Sequence, residues 1–237
     1  MGKITEYNQL RKDLFTRWKT KLPKGQINHR DAIFVSDGIV NPLCWFNQDV
    51  RPLFLLKEAY GGHSDWDLIQ DHLLTNEPIG DHLTWRRVTQ WACGLLNTTA
   101  DSIYSFEKLE RTPSFGNKYL QQVAAVNVKK SDGRKTSRKR NLMAYAEYDK
   151  EELLEQLKLI DPTLIVCGYT MDYLNIVLPQ PIKKHAGQSP NLYYKTQLNG
   201  HEVLVIDYWH PSNKYPDLMN YYTLMAIYQQ ALKEGKI

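Results

Sequence analysis

The chain has 237 residues, 42% of them hydrophobic and 24% charged, with a formal net charge of +4. That length suits one ample domain, and the balance of apolar and charged residues excludes a disordered chain. The N-terminus Met1-Gly2-Lys3-Ile4-Thr5-Glu6 lacks the apolar core of a secretory signal. No window is apolar for the length a membrane helix needs, so a cytoplasmic protein without membrane contact is expected. Cys44, Cys93 and Cys167 are scattered, with no CxxC pair and no histidine cluster at zinc-ligand spacing. They predict free thiols and no metal site.

In chain order, the first element is an amphipathic helix around Tyr7 to Trp18, placed at the outside of the domain within an N-terminal helical extension of about residues 1–50. Four short apolar runs follow at intervals: Leu53 to Leu56, Val123 to Val126, Leu164 to Cys167 and Val203 to Ile206. None alternates with polar residues, so each reads as a strand buried on both faces. Helical patterns lie between them. One covers Asp81 to Leu96, with Leu83, Val88 and Trp91 in its apolar set. Another starts at Asp149, an N-cap candidate with Glu152 three residues on, carries Leu153, Leu157 and Ile160, and stops before Pro162. A last helix after Pro216 places Leu218, Tyr221, Tyr222, Met225, Tyr228 and Leu232 at helical spacing. The alternation of strand and helix predicts an α/β fold, a three-layer α/β/α domain around a mainly parallel four-stranded sheet. The whole chain, 1–237, is expected to be one domain.

Charge is uneven along the chain. Lys129, Lys130, Arg134, Lys135, Arg138, Lys139 and Arg140 fall within twelve residues against one acid, Asp132. The stretch contains Gly and Ser and is unlike a helix; it reads as a loop leaving the second strand, either a solvated surface or a phosphate-binding segment.

In a parallel sheet the residues at the carboxyl ends of the strands converge on one rim, where such folds keep their chemistry. Here that rim receives Lys57-Glu58-Ala59-Tyr60-Gly61-Gly62, Asn127, Gly168-Tyr169-Thr170 and His210-Pro211-Ser212. One acid, one carboxamide, one imidazole and one hydroxyl suit a hydrolytic pocket.

This ordered set resembles the uracil-DNA glycosylase superfamily over roughly Leu53 to Tyr215. Lys57-Glu58-Ala59-Tyr60-Gly61 is similar to the family's first motif, Val126-Asn127-Val128-Lys129 to its Asn-bearing strand, Leu153 to Gly168 to its helix, proline and third strand, and Trp209-His210-Pro211-Ser212 to its final motif. The resemblance implies a uracil-DNA glycosylase-like fold and hydrolysis of the N-glycosidic bond of a flipped-out pyrimidine in DNA, leaving an abasic site. Such cleavage builds positive charge on the sugar and negative charge on the departing base. Glu58 would position water and stabilise the sugar cation, His210 would donate to the base oxygen, and Asn127 would read the pyrimidine edge. Tyr60 and Ala59, with Trp85 or His82 behind, would form a stacking wall. Ser212 would hold a phosphate, and Lys57, Lys214, Tyr215 and the basic loop would contact DNA. A monomer without a cofactor is implied, serving DNA repair or antiviral defence.

The chain departs from the family in three places. Three scattered cysteines cannot hold the iron–sulfur cluster of the branches with the Gly-Glu-Ala-Pro-Gly motif. Lys57 and Tyr60 replace Gly and Pro of that motif, a bulkier first loop that could admit uracil or a larger, hypermodified pyrimidine such as those of phage DNA. Asn213-Lys214 replaces the apolar wedge, leaving Tyr215 as a substitute. Two alternatives stand beside the glycosylase: a catalytically silent nucleic-acid-binding module of the same fold, and a hydrolase with Ser212 as nucleophile and His210 as base. The second lacks the Gly-x-Ser-x-Gly elbow, and residues so close in sequence are not expected to face one another.

Overall fold

In the computed structural model, residues 2–75, 82–109, 118–183 and 192–235 are described. The four apolar runs are four adjacent parallel strands: β3 (Pro52–Glu58), β5 (Ala124–Lys129), β6 (Leu164–Gly168) and β8 (His201–Tyr208), in the spatial order β5-β3-β6-β8. The sheet is larger than expected, with six strands instead of four. Antiparallel β2 (Gly38–Ile39) and β7 (Tyr193–Leu198) close its two edges. Neither edge strand is a continuous apolar run: β2 is two residues long, and β7 reads Tyr-Tyr-Lys-Thr-Gln-Leu. A separate two-stranded ribbon pairs β1 (Val35–Ser36) with β4 (Trp66–Asp67).

Helices cover both faces, and the strands show why. Phe54 and Leu56 of β3 point into a cluster with α3 (Leu83–Asn97) and α7 (Asp217–Lys233). Leu53 and Leu55 point into the opposite cluster, with α1 (Gly2–Lys19), α4 (Lys139–Tyr148), α5 (Lys150–Ile160) and α6 (Met171–Val177). A residue period of two sends alternate side chains to opposite faces, so a strand covered on both is apolar throughout. The short α2 (Pro42–Phe46) joins β2 to β3.

Residues 1–50 are built into this core. Leu14 and Trp18 of α1 are fully buried against the sheet, where an outside position was expected, and β2 is one of its strands. Asp81, the expected start of the α3 segment, lies outside the described residues. Leu153, Leu157 and Ile160 are buried as their spacing predicts, whereas Leu218 of α7 is exposed. Asp149 makes no capping bond; its buried carboxylate instead lies 2.9 Å from His29 Nε2, and His29 Nδ1 lies 2.9 Å from Ser131 Oγ. Among the described residues no helix is long and apolar enough to cross a membrane, and no group of three or more His, Cys, Asp or Glu is placed to hold a metal ion.

Candidate functional site

The strands run one to three residues past the apolar runs, so Glu58 and Asn127 lie within β3 and β5. Register sets Leu56 beside Asn127 and Glu58 beside Lys129. Glu58, Asn127 and His210 all line one cavity of about 770 Å³, together with Lys57, Ala59, Tyr60, Trp85, Ser212 and Lys214. Pockets of about 300–1,000 Å³ hold drug-sized ligands. A second cavity of about 930 Å³ shares Glu58, Arg134 and Thr136 with the first and is also lined by Lys24, Arg138 and Arg140.

The Glu58 side chain is enclosed, only 4% of it exposed. Its Oε2 accepts from Lys129 Nζ at 2.9 Å, while Oε1 meets no donor among the described residues. Gly133 forms the lid. Its N–H donates to Ala59 O at 2.7 Å, and a Cβ there would stand 2.5 Å from Glu58 Cγ. Only a residue without a side chain lets the loop close over this acid.

Asn127 is oriented by a residue that sequence reading did not find. Asp37, fully buried, accepts from the Asn127 backbone N–H at 2.8 Å and from Nδ2 at 3.2 Å, and also from Lys130 Nζ at 2.6 Å and Gln156 Nε2 at 2.8 Å. A carboxylate ringed by donors accepts only, so the carboxamide must turn its NH₂ toward Asp37 and its Oδ1 away.

His210 follows β8 on a turn that approaches the end of β6. A Cβ at Gly168 would stand 3.3 Å from Pro211 Cδ and 3.2 Å from Leu56 Cδ2, so the glycine lets the turn pack close. The Ser212 N–H donates to His210 Nδ1 at 3.2 Å, with Ser212 Oγ 2.8 Å from the same nitrogen. An accepting nitrogen carries no proton, so the neutral ring is protonated on Nε2. Burial, with the Lys57 charge nearby, pushes His210 down to about 4 and keeps it neutral.

Ser212 and His210 therefore do meet, contrary to expectation. The contact does not make a nucleophile and base, because a ring titrating near 4 is a poor proton acceptor at neutral pH and Nδ1 already accepts the backbone N–H. Ser212 is better described as the residue that fixes the His210 tautomer.

The turn is clamped from below by Arg87, buried on α3 and missed in the sequence. Its guanidinium donates to the carbonyls of Pro211, Asn213 and Tyr215 and pairs with Asp217 at 2.7 Å. Asn220 adds bonds to Tyr215 O and to the Asn213 side chain. Lys214 and Tyr215 are thus exposed on a rigid loop, with Tyr215 leaning on Trp209 at 4.6 Å between ring centroids.

The aromatic wall is mixed. Tyr60 is exposed at the mouth, while Trp85 is buried, with its ring 6.3 Å from that of His72. His72 and His82 stand edge to face at 5.0 Å, and burial with its neighbour holds His72 below the usual histidine range. Tyr169 is a further wall residue. It has a positive φ of 58°, rare for a side-chain-bearing residue, and half-exposes its ring to the cavity with Lys57 Nζ 5.3 Å from its centroid.

The seven basic residues divide. Arg134, Lys135, Arg138 and Arg140 are exposed as a phosphate-binding loop requires, and Lys139 is exposed with an ion pair to Asp172 at 3.0 Å. Lys129 and Lys130 are not available to DNA. Both are buried, paired with Glu58 and Asp37 respectively, because they belong to or adjoin β5 and not the loop. The segment is also helical at its end, since α4 begins at Lys139. Cys44 is half-buried, Cys93 and Cys167 are buried, and none forms a disulfide.

The chain matches no protein-family model and no curated protein.

The His210 arrangement makes a pH prediction. Its folded value near 4 lies below the unfolded value of about 6.5, so the unfolded chain takes up the proton first as pH falls. Stability from this group is complete above about pH 6.5 and declines toward pH 4, by at most about 1.4 kcal/mol per pH unit. Urea unfolding at pH 7 and pH 5 should show a smaller loss for His210→Gln than for the native chain. Equal losses would place the ring's titration elsewhere.

Proposed function

We propose that the protein is a DNA glycosylase of the uracil-DNA glycosylase type, hydrolysing the N-glycosidic bond of a flipped-out pyrimidine. The observation that carries this reading is the convergence of Glu58, Asn127 and His210 from three parallel strands on one cavity. The geometry supports a role for each. Glu58, with Oε1 free of donors among the described residues, holds the water and faces the sugar's developing charge. Asn127 reads the base edge with an amide oriented by Asp37. His210, neutral, donates from Nε2 to the departing base as negative charge grows there.

Exposed Lys214, Arg134 and Lys135 line the cavity and, with exposed Tyr215 and Arg138 close by in the chain, would give DNA a path at its mouth. Basic residues in the first turn of α4 are unfavourable beside the positive end of the helix dipole, and a phosphate would relieve that. The cavity has room beyond a pyrimidine ring, which supports a substituted base as well as uracil. Replacing Arg134, Lys135 and Arg138 by Ala should reduce the log–log salt slope of DNA binding by about 2 to 3, near one per lost phosphate contact. An unchanged slope would make the loop a solvated surface.

The central test is base release from oligonucleotides carrying uracil, a mismatch or glucosylated hydroxymethylcytosine, with abasic sites revealed by alkaline cleavage. Release from at least one is expected. Release from uracil alone would remove the case for an enlarged base, and release from none, with DNA still bound, would leave the silent binding module.

A further inference from the structure

Lys57 is unlike the other lysines near the site. Lys129 and Lys130 are tied to Glu58 and Asp37, and Lys135 and Lys214 are exposed. Lys57 is half-buried in the cavity wall and makes no ion pair or hydrogen bond with any described residue. Its Nζ stands 5.3 Å from the centroid of the Tyr169 ring, and its charge is felt at Glu58 and His210 without a direct bond to either. The backbone that carries that ring is pinned, since the Tyr169 N–H donates to Tyr208 O at 2.8 Å and the residue holds a left-handed conformation. A lysine used only to hold phosphate would gain from exposure and a permanent charge. Burial instead holds the Lys57 amine below the usual lysine range, which enlarges its free-base fraction at neutral pH.

An unpaired amine in a cavity shared with Asn127 and His210 sits where base removal would leave an abasic sugar, whose ring-opened form is an aldehyde. We propose that Lys57 is a Schiff-base lysine that attacks C1′ of the abasic sugar and gives the protein a strand-cleaving lyase activity, an inference resting on the glycosylase reading above.

The steps balance without any oxidant or reductant. The neutral Nζ adds to the C1′ carbonyl, the carbinolamine takes up a proton and loses water, and a protonated imine joins Lys57 to the sugar. The imine draws electrons from C2′, whose proton passes to water in the cavity. The C3′–O bond then breaks, and the 3′ phosphate departs with the electron pair. Water hydrolyses the imine, returning the amine and leaving an unsaturated aldehyde on the cut strand.

The test uses DNA with an abasic site formed beforehand, so it does not depend on base release by this protein. Incubation of the full chain with that DNA and cyanoborohydride should reduce the imine to a stable secondary amine. A covalent protein–DNA adduct is expected on a denaturing gel, with peptide mass spectrometry locating it at Lys57. Lys57→Met and Lys57→Arg should each lower trapping and strand cleavage at least tenfold. Mapping on the native chain decides the matter even if a variant folds poorly. No adduct, or one found on Lys135 or Lys214 with none on Lys57, would overturn the lyase. Base release without trapping would remove only this inference, whereas trapping without release from any base would count against the glycosylase reading.

Discussion

Glu58→Gln should lower base release by about 10²- to 10³-fold while DNA affinity changes little, because the substitution keeps the shape of the side chain and removes the charge that opposes the sugar cation. The measurement is single-turnover cleavage beside fluorescence anisotropy. The structure adds a complication and a control. Glu58 also neutralises Lys129 at 2.9 Å, so the variant leaves a buried ammonium without its counter-charge. A stability cost is expected, up to about 3 kcal/mol. Gly133→Ala separates the effects. It preserves both charges yet places a methyl 2.5 Å from Glu58 Cγ, so it should shift the acid and slow cleavage with binding retained. If both variants cleave at the native rate, Glu58 is a structural partner of Lys129 and not the site's acid.

Asp37→Ala should have the largest effect on stability. Lys130 is fully buried, and burial already holds its amine below the usual lysine range although Asp37 opposes the shift. Removing one member of a buried pair costs about 3–5 kcal/mol, whereas replacing both with apolar groups is often near neutral. Asp37→Ala alone should therefore unfold at much lower urea. Its deficit should shrink as pH rises, since a lysine with a lowered folded value favours the fold more once the unfolded chain has also lost the proton. The double variant Asp37→Leu with Lys130→Met should recover most of the stability. It should not recover cleavage, because Asn127 would still lack the carboxylate that turns its amide. Full activity in the stable double variant would show that Asn127 needs no such orientation.

The four central strands could be read from the chain because burial on both faces removes polar residues altogether, and Leu53 to Leu56 or Val203 to Ile206 can be little else. The edge strands carried no such mark. Tyr193–Leu198 mixes polar and aromatic residues because one of its sides has no partner strand among the described residues, and Gly38–Ile39 is too short for any pattern. The candidate site was legible in the same degree. Residues carried by the ends of long buried strands, namely Glu58, Asn127 and His210, could be placed on a common rim from order alone. Asp37 and Arg87 could not, since a lone acid in an irregular segment and an arginine in a helix look like surface residues. Their meaning lies in partners 90 to 130 positions away.

The amino-acid sequence by itself determined the parallel sheet, the helices between its strands and the chemical types at its rim, because periodicity and burial are local consequences of side-chain polarity. Only the tertiary structure decided which charges are free to act. Lys129 and Lys130 read as members of a DNA-binding run and are instead buried counter-ions, while Lys57, Arg134 and Lys135 face the cavity. The physical reason is that a charge's role is set by its desolvation and its nearest opposite charge, and both depend on contacts that chain order does not encode.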